Sequence, residues 1–236
     1  MMRRYASSQI EARARVRVTR GQELVDSILE LIDRRRLRAG DPLPPEPRLM
    51  EEFGVARNSV REALRTLQAL GIVEIRHGYG TFVGDASMAA LSPSLLFRTR
   101  ARSRQDLRGL SDLLEVRQIL ETELTRKVVG NGQLLAALGE CVDRMADPAT
   151  ASVADRRFHE LIGEAAGNEL ALELIRLFWD VYRQTESLIG TPTSRPDGLE
   201  AKHRRIVEAI ATSDGAAVGE AVSEHFDEIR KRIAAG

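Results

Sequence analysis

The chain has one cysteine, Cys141, in 236 residues. A single thiol cannot close an intrachain disulfide, and such usage fits a reducing cytoplasm. Aromatic residues make up only 4% of the chain, so Leu, Ile, Val and Ala must fill the core, which favours helix packing. No apolar run approaches the roughly 20 residues of a membrane span. The start, MMRRYASSQIEARARVRV, is basic but has no apolar stretch of the kind a secretory signal needs. It reads as a polar, Arg-rich arm. Lysine is nearly missing, with 3 Lys against 32 Arg, a bias that fits a GC-rich genome and says nothing of function.

Net charge is zero, yet the two halves differ in sign. Residues 1–84 hold 15 Lys/Arg against 11 Asp/Glu, and residues 85–236 hold 20 against 24. A basic front on an acidic body is the balance of a DNA-binding head on a regulatory body. The length allows two small domains, each with its own core.

The apolar positions Leu24, Val25, Ile28, Leu29 and Ile32 repeat at helical spacing and predict an amphipathic helix from Gly21. DPLPPEP, with four prolines, predicts a loop. A short helix follows over Arg48 to Phe53, closed by Gly54. Another runs from Ala56 to Leu70, with Val60, Ala63, Leu64 and Leu67 inward and Gly71 at its end. Ile72–Ile75 and Thr81–Val83 read as strands joined by the turn His77-Gly78-Tyr79-Gly80. Helix, helix, turn, helix and hairpin is the order of a winged helix-turn-helix, placed at 19–84. Residues 85–106 read as a linker with the basic run RTRARSR. From 107 to 236 the pattern is all helical, with helices near 107–130, 133–146, 150–166, 168–189, 197–212 and 215–234. Asn168 and Asp214 are N-cap candidates. The fold class is therefore mainly α: a winged helix-turn-helix followed by an all-α helical bundle.

A recognition helix needs long hydrogen-bonding side chains at its groove-facing end and apolar residues behind them. Arg57, Asn58, Ser59 and Arg61 meet the first requirement, and Arg can pair bidentately with guanine. Arg61 and Arg65 also fit a solvated helix face. His77 in the wing suits a minor groove or a phosphate.

Residues 43–83 closely resemble the winged helix-turn-helix of GntR-family transcriptional regulators. The pattern runs from LPPE through GVARNSVREAL to GIV and GYGTFV. The resemblance makes Arg57 the main base-reading residue. It makes Asn58, Ser59 and Arg61 groove and phosphate contacts, and His77-Gly78 the wing contact. The family usually has Arg directly after the Glu of LPxE. Here Pro47 stands there, and Arg48 comes one residue later as a candidate replacement.

The body holds three of the four histidines. His203 falls in the apolar set Leu199, Ile206, Val207 and Ile210. His225 falls in the set Val218, Val222, Ile229 and Ile233. His159 lies three residues before Ile162, with Asp155 one turn earlier in DRRFHELI. All three histidines therefore point toward a core, where an unpaired polar group costs a few kcal/mol. One inward histidine is ordinarily a satisfied core residue; three beside an aspartate fit either satisfied core groups or a shared site for a divalent metal of the Zn, Ni or Mn type. Arg117 interrupts the inward stripe Leu110, Leu113, Leu114, Leu120 and Leu124. It either pairs with a structural acid such as Glu121 or clamps a ligand carboxylate. Trp179 and Tyr182 fit core or pocket lining, and core is the simpler reading.

The body also resembles the all-helical, FCD-type effector domain of the FadR-like branch of GntR regulators. The residues that carry the likeness are Glu115-Val116-Arg117, DxxFH at 155–159, Ala166-Gly167-Asn168, His203, Asp214 and His225. The resemblance implies a metal held by Asp155, His159, His203 and His225, with a small carboxylate effector completing its coordination near Arg117 and Asn168. Members that take long acyl-CoA lack this set. The implied function is a ligand-responsive, non-enzymatic DNA-binding regulator in the cytoplasm. It would act as a homodimeric repressor on a palindromic operator. A second reading is a metal-dependent hydrolase or lyase fused to a DNA-binding head. Against it, the sequence singles out no spare general base near DRRFH, since Glu160 and Glu164 lie on neighbouring faces. In a third reading the metal is purely structural, or is itself the signal.

Overall fold

The computed structural model describes residues 21–104, 106–189, 197–212 and 214–235. The expected Arg-rich arm and most of the TPTSRPDG loop lie outside the described residues. The chain divides into two compact units, Met1–Ala90 and Leu91–Gly236.

In the first unit, helix α1 covers residues 21–34. Leu24, Val25, Ile28, Leu31 and Ile32 are its buried residues, while Leu29 is only partly buried. Leu31 thus takes the inward place expected of Leu29. Helix α2 spans Glu46–Phe53, with Pro47 in its first turn. There the missing N–H costs no helical hydrogen bond, so the departure at Pro47 is accommodated by the backbone. Helix α3 spans Arg57–Ala69 and buries Val60, Ala63, Leu64 and Leu67. Strands β1 (Val73–Arg76) and β2 (Gly80–Val83) pair antiparallel, with Val73 opposite Val83. The start of the proline-rich segment is not a free loop. Leu43 N donates to Thr81 O (2.8 Å) and Val83 N to Asp41 O (2.8 Å), which adds a short edge to the wing. Pro42 and Pro44, which have no N–H, flank the donor at Leu43.

Gly84 closes the base of the hairpin. A Cβ built there would lie 2.2 Å from the Gly71 backbone oxygen, which no rotamer change can relieve. Gly84→Ala should therefore destabilise the head by about 1–3 kcal/mol, seen as a melting transition several degrees lower by circular dichroism.

The second unit has no strand among its described residues. It contains α4 (Ser92–Arg102), α5 (Arg108–Lys127), α6 (Gly132–Arg144), α7 (Ala151–Ala165), α8 (Glu169–Thr185), α9 (Asp197–Thr212) and α10 (Gly215–Ala235). Helix α4 occupies the stretch expected to be a linker. It packs on α5 and α8, buries Thr99, and its Arg100 donates to the Gln184 carbonyl at 2.9 Å. Gly109 allows this crossing, since a Cβ there would lie 2.5 Å from Thr99 O. Helix α5 also packs on α7, α8 and α10, α6 bridges α7 and α9, and α9 packs on α10. The interior of the bundle therefore receives side chains from α5, α7, α9 and α10 together. Leu120 is only half-buried, and the inward stripe of α5 continues through Arg117, Glu121 and Leu124 instead. On α10 the buried position beside His225 is Phe226, while Ile229 and Ile233 are half-buried.

Candidate metal centre and nucleic-acid interface

Asp155 and His159 sit at i and i+4 on α7, so both project from one face. His203 comes from α9 and His225 from α10. One ligand atom from each of these four residues lies within 4.8 Å of the others. Asp155 Oδ1 is 2.9 Å from His203 Nε2 and 3.2 Å from His159 Nε2, and the two Nε2 atoms are 3.3 Å apart.

The far side of each ring biases its tautomer. His203 Nδ1 is 2.8 Å from the Leu199 carbonyl oxygen, which can only accept. His159 Nδ1 is 2.8 Å from Glu121 Oε2, an acceptor as well. Both rings therefore favour the proton on Nδ1, and both Nε2 atoms face the Asp155 oxygen. Asp155 Oδ1, Glu121 Oε2 and His225 Nδ1 are buried and make no well-aligned hydrogen bond, so the contacts of the two carboxylate oxygens with the rings are ion-pair contacts. Lone pairs gathered in this way require a shared positive centre. Three imidazoles and a carboxylate are a donor set that suits a divalent first-row metal. Outer partners that hold the imidazole N–H are a usual feature of metal-binding histidines.

The electrostatics agree. Burial pushes the Asp155 carboxyl up, but His203 and His159 outweigh it and hold it well below the usual range. Burial likewise opposes ionisation of Glu121, yet Arg117 and His159 lower its carboxyl to about 2. Burial disfavours charge on His159, but Glu121 and Asp155 raise it to about 9. Burial, followed by repulsion from His203 and His159, pushes His225 well below its ordinary value. The cluster thus favours positive charge on His159, between Glu121 and Asp155, and disfavours it on His225.

A cavity of about 490 Å³ opens over this cluster, with Asp155, His225, Arg117, Trp179, Tyr182 and Lys202 in its wall. Arg117 is 1% exposed. Its Nε donates to Glu121, and its Nη2 is buried with no partner. The guanidinium carbon lies 4.8 Å from the Trp179 ring centre and 5.3 Å from that of Phe226. Arg117 thus pairs with Glu121, the structural-acid half of the alternative, and it also lines the cavity. Trp179 and Tyr182 are buried and also line the cavity, so core and lining were not exclusive. Asn168 is not in the wall. It is exposed, and its side chain caps α8 by accepting from Ala171 N at 3.0 Å. Sequence reasoning did not single out Lys202, although it directly precedes His203.

In the first unit, Arg57, Asn58 and Ser59 form the exposed first turn of α3. Their side chains have no partner among the described residues. Ala56 is the N-cap and supplies no side-chain cap, so backbone N–H groups at this end are open to a phosphate. An arginine here opposes the helix dipole, a local cost of the kind expected at functional sites. Arg61 is tethered to Glu46 (3.1 Å) and Arg48 to Glu51 (3.2 Å), and all four are at least partly exposed. His77 and Gly78 lie in the exposed wing turn beside Tyr79, which is 84% exposed.

Residues 20–83 match the family described as bacterial regulatory proteins, gntR family, and residues 112–228 match the family described as FCD domain. A protein of Escherichia coli K12, provisionally named as the L-lactate dehydrogenase operon regulator, is 31% identical over 216 residues, covering 86% of this chain and 82% of its own. The chain belongs to the gntR family. The Uxu operon transcriptional regulator of the same organism is 29% identical over 225 residues, covering 90% of this chain and 86% of its own. Among solved structures, a GntR protein of Streptococcus agalactiae aligns with a TM-score of 0.59 at 26% identity, covering 89% of this chain and 99% of that one. This GntR-family chain is a DNA-binding transcriptional regulator with a helical FCD body, and not an enzyme. No described helix is long and apolar enough to cross a membrane.

Proposed function

We propose that this regulator is a homodimeric repressor whose body binds a divalent metal and a small carboxylate, and that the acid lowers its operator affinity. The observation that carries the reading is a cluster of four metal-competent side chains, two of which, Asp155 and His225, share a cavity wall with Arg117, whose Nη2 is partnerless. Asp155, His159, His203 and His225 would hold the ion. When bound, the ion supplies a Lewis-acidic position for one carboxylate oxygen. Arg117 would donate from Nη2 to the same acid, with Trp179 and Phe226 packed against its guanidinium. In the head, Arg57, Asn58, Ser59 and Arg61 would read and grip the major groove, with Arg48, His77 and Gly78 on flanking backbone. Two copies would read two half-sites of a palindrome. The acid acts to the extent that it binds the operator-free form more tightly.

The test is metal analysis of the purified protein, followed by a thermal-shift screen of small carboxylic acids with and without chelator. L-lactate comes first in that screen, because a relative is named for an L-lactate operon. An effector at 100 times its Kd stabilises the body by about 2.7 kcal/mol, a rise of roughly 5–10 °C, and chelation should remove that rise. A protein that purifies without metal, and whose acid response ignores chelator, would sink this reading.

A further inference from the structure

Glu121 is 3% exposed and touches both halves of the site. Its Oε1 accepts from Arg117 Nε, and its Oε2 lies 2.8 Å from His159 Nδ1. The cavity-facing guanidinium and an inward-facing imidazole are therefore held by the two oxygens of one buried carboxylate. We infer that Glu121 is a positioning residue that couples metal binding to acid binding, an inference that rests on the metal-and-carboxylate reading above.

The reason is charge as well as geometry. Arg117 and a divalent ion are like charges in a poorly solvated interior, where their repulsion is only weakly screened. Glu121 lies between the residues that bear on both and offsets it. Its carboxylate, 2.8 Å from His159 Nδ1, also favours the His159 tautomer that turns Nε2 toward Asp155 and raises the basicity of that nitrogen, as outer partners of metal-binding histidines do. By occupying Nε, it holds the guanidinium in the cavity wall with Nη2 still unpartnered. Loss of this one carboxylate would weaken the ion and misplace the acid's second anchor together. Arg156, Arg157 and Arg176, which pair with Glu160 and Glu164 on the outer side of α7, have no comparable link to the cluster.

The test uses full-length protein and Zn²⁺ or Co²⁺ alone as probe. Glu121→Gln is expected to lower Zn²⁺ affinity about 10–100-fold in competition with a chromophoric chelator, and to change the visible spectrum of the Co²⁺-loaded protein. The exposed control Glu123→Gln should change neither. Glu121→Asp, which keeps the charge but is one methylene too short to reach both partners, should lie between. A carboxylate with only a folding role would lower the melting temperature and leave affinity and spectrum unaltered. That result, with Zn²⁺ affinity within twofold of the parent, overturns the proposal. A parent protein that binds no metal overturns instead the reading on which it rests. If the variants do not fold, histidine ¹⁵N spectra of the Zn²⁺-loaded parent decide: Nδ1–H retained on His159 with Nε2 on the ion supports the inference, and metal on Nδ1 ends it.

Discussion

Replacing Arg57 with alanine should sharply weaken specific operator binding while leaving the protein folded. Arg57 is exposed in the first turn of α3 and has no side-chain partner among the described residues. Its removal therefore breaks nothing inside the head. A bidentate arginine–guanine contact is worth about 1–3 kcal/mol. A dimer on a palindrome loses it twice, so the specific affinity should fall roughly 30-fold to 10⁴-fold. The melting temperature should hold or rise slightly, because a positive charge at a helix N-terminus opposes the dipole by roughly 0.3–1 kcal/mol. Mobility shifts on specific and scrambled duplexes, alongside thermal melts, check both halves. Equal losses on both duplexes would make Arg57 a phosphate contact and not a base reader. Arg61→Ala should cost less, since Arg61 already shares its charge with Glu46 at 3.1 Å.

What could be read from the sequence was what a short-range period determines. The inward set of α3 follows from helical spacing, and the same spacing put His203 and His225 among apolar neighbours on their own helices. The errors arose where neighbours distant in sequence decide. Residues 92–102 contain a proline and a run of arginines, and they look like a tether until Thr99 is packed against Gly109 of α5. Leu29 and Leu31 both fit an amphipathic helix, and only packing in the head's core chose Leu31. Pro42 and Pro44 signal a loop, yet Leu43 and Asp41 pair with β2, which lies about 40 residues on. Glu121 looked like a plain helix partner for Arg117, because its second contact, His159, comes from another helix. Asn168 was placed at the effector by likeness alone, and its side chain in fact serves the backbone of α8. A cavity is a property of several helices at once, so neither its volume nor the presence of Lys202 in its wall could be read from any one of them.

The second large effect should come from His203→Ala. This ring is fully buried on α9, with Nδ1 held by Leu199 O and Nε2 turned to Asp155 and His159. On the proposed metal reading, deleting it removes one of four ligands and leaves Asp155 and His159 on one helix with only His225 opposite. Metal affinity should fall by more than the roughly 10–100-fold typical of an outer partner, so purified protein should carry little metal. Some stability must also be lost for a purely steric reason, since His203 packs edge-on against Phe158 at 4.7 Å between ring centres. The two contributions separate by measuring melts with and without chelator. The parent should lose stability on chelation, and the variant should not respond. Titrations of the parent should show metal affinity rising between pH 6 and 8, because a proton on His159, held up to about 9 without the ion, competes for the same site. The variant should also keep its grip on operator DNA in the presence of an acid that releases the parent. Release that survived the loss of His203 and of its metal would place the acid's control of DNA binding outside the metal centre, with Arg117 as the first residue to test in its place.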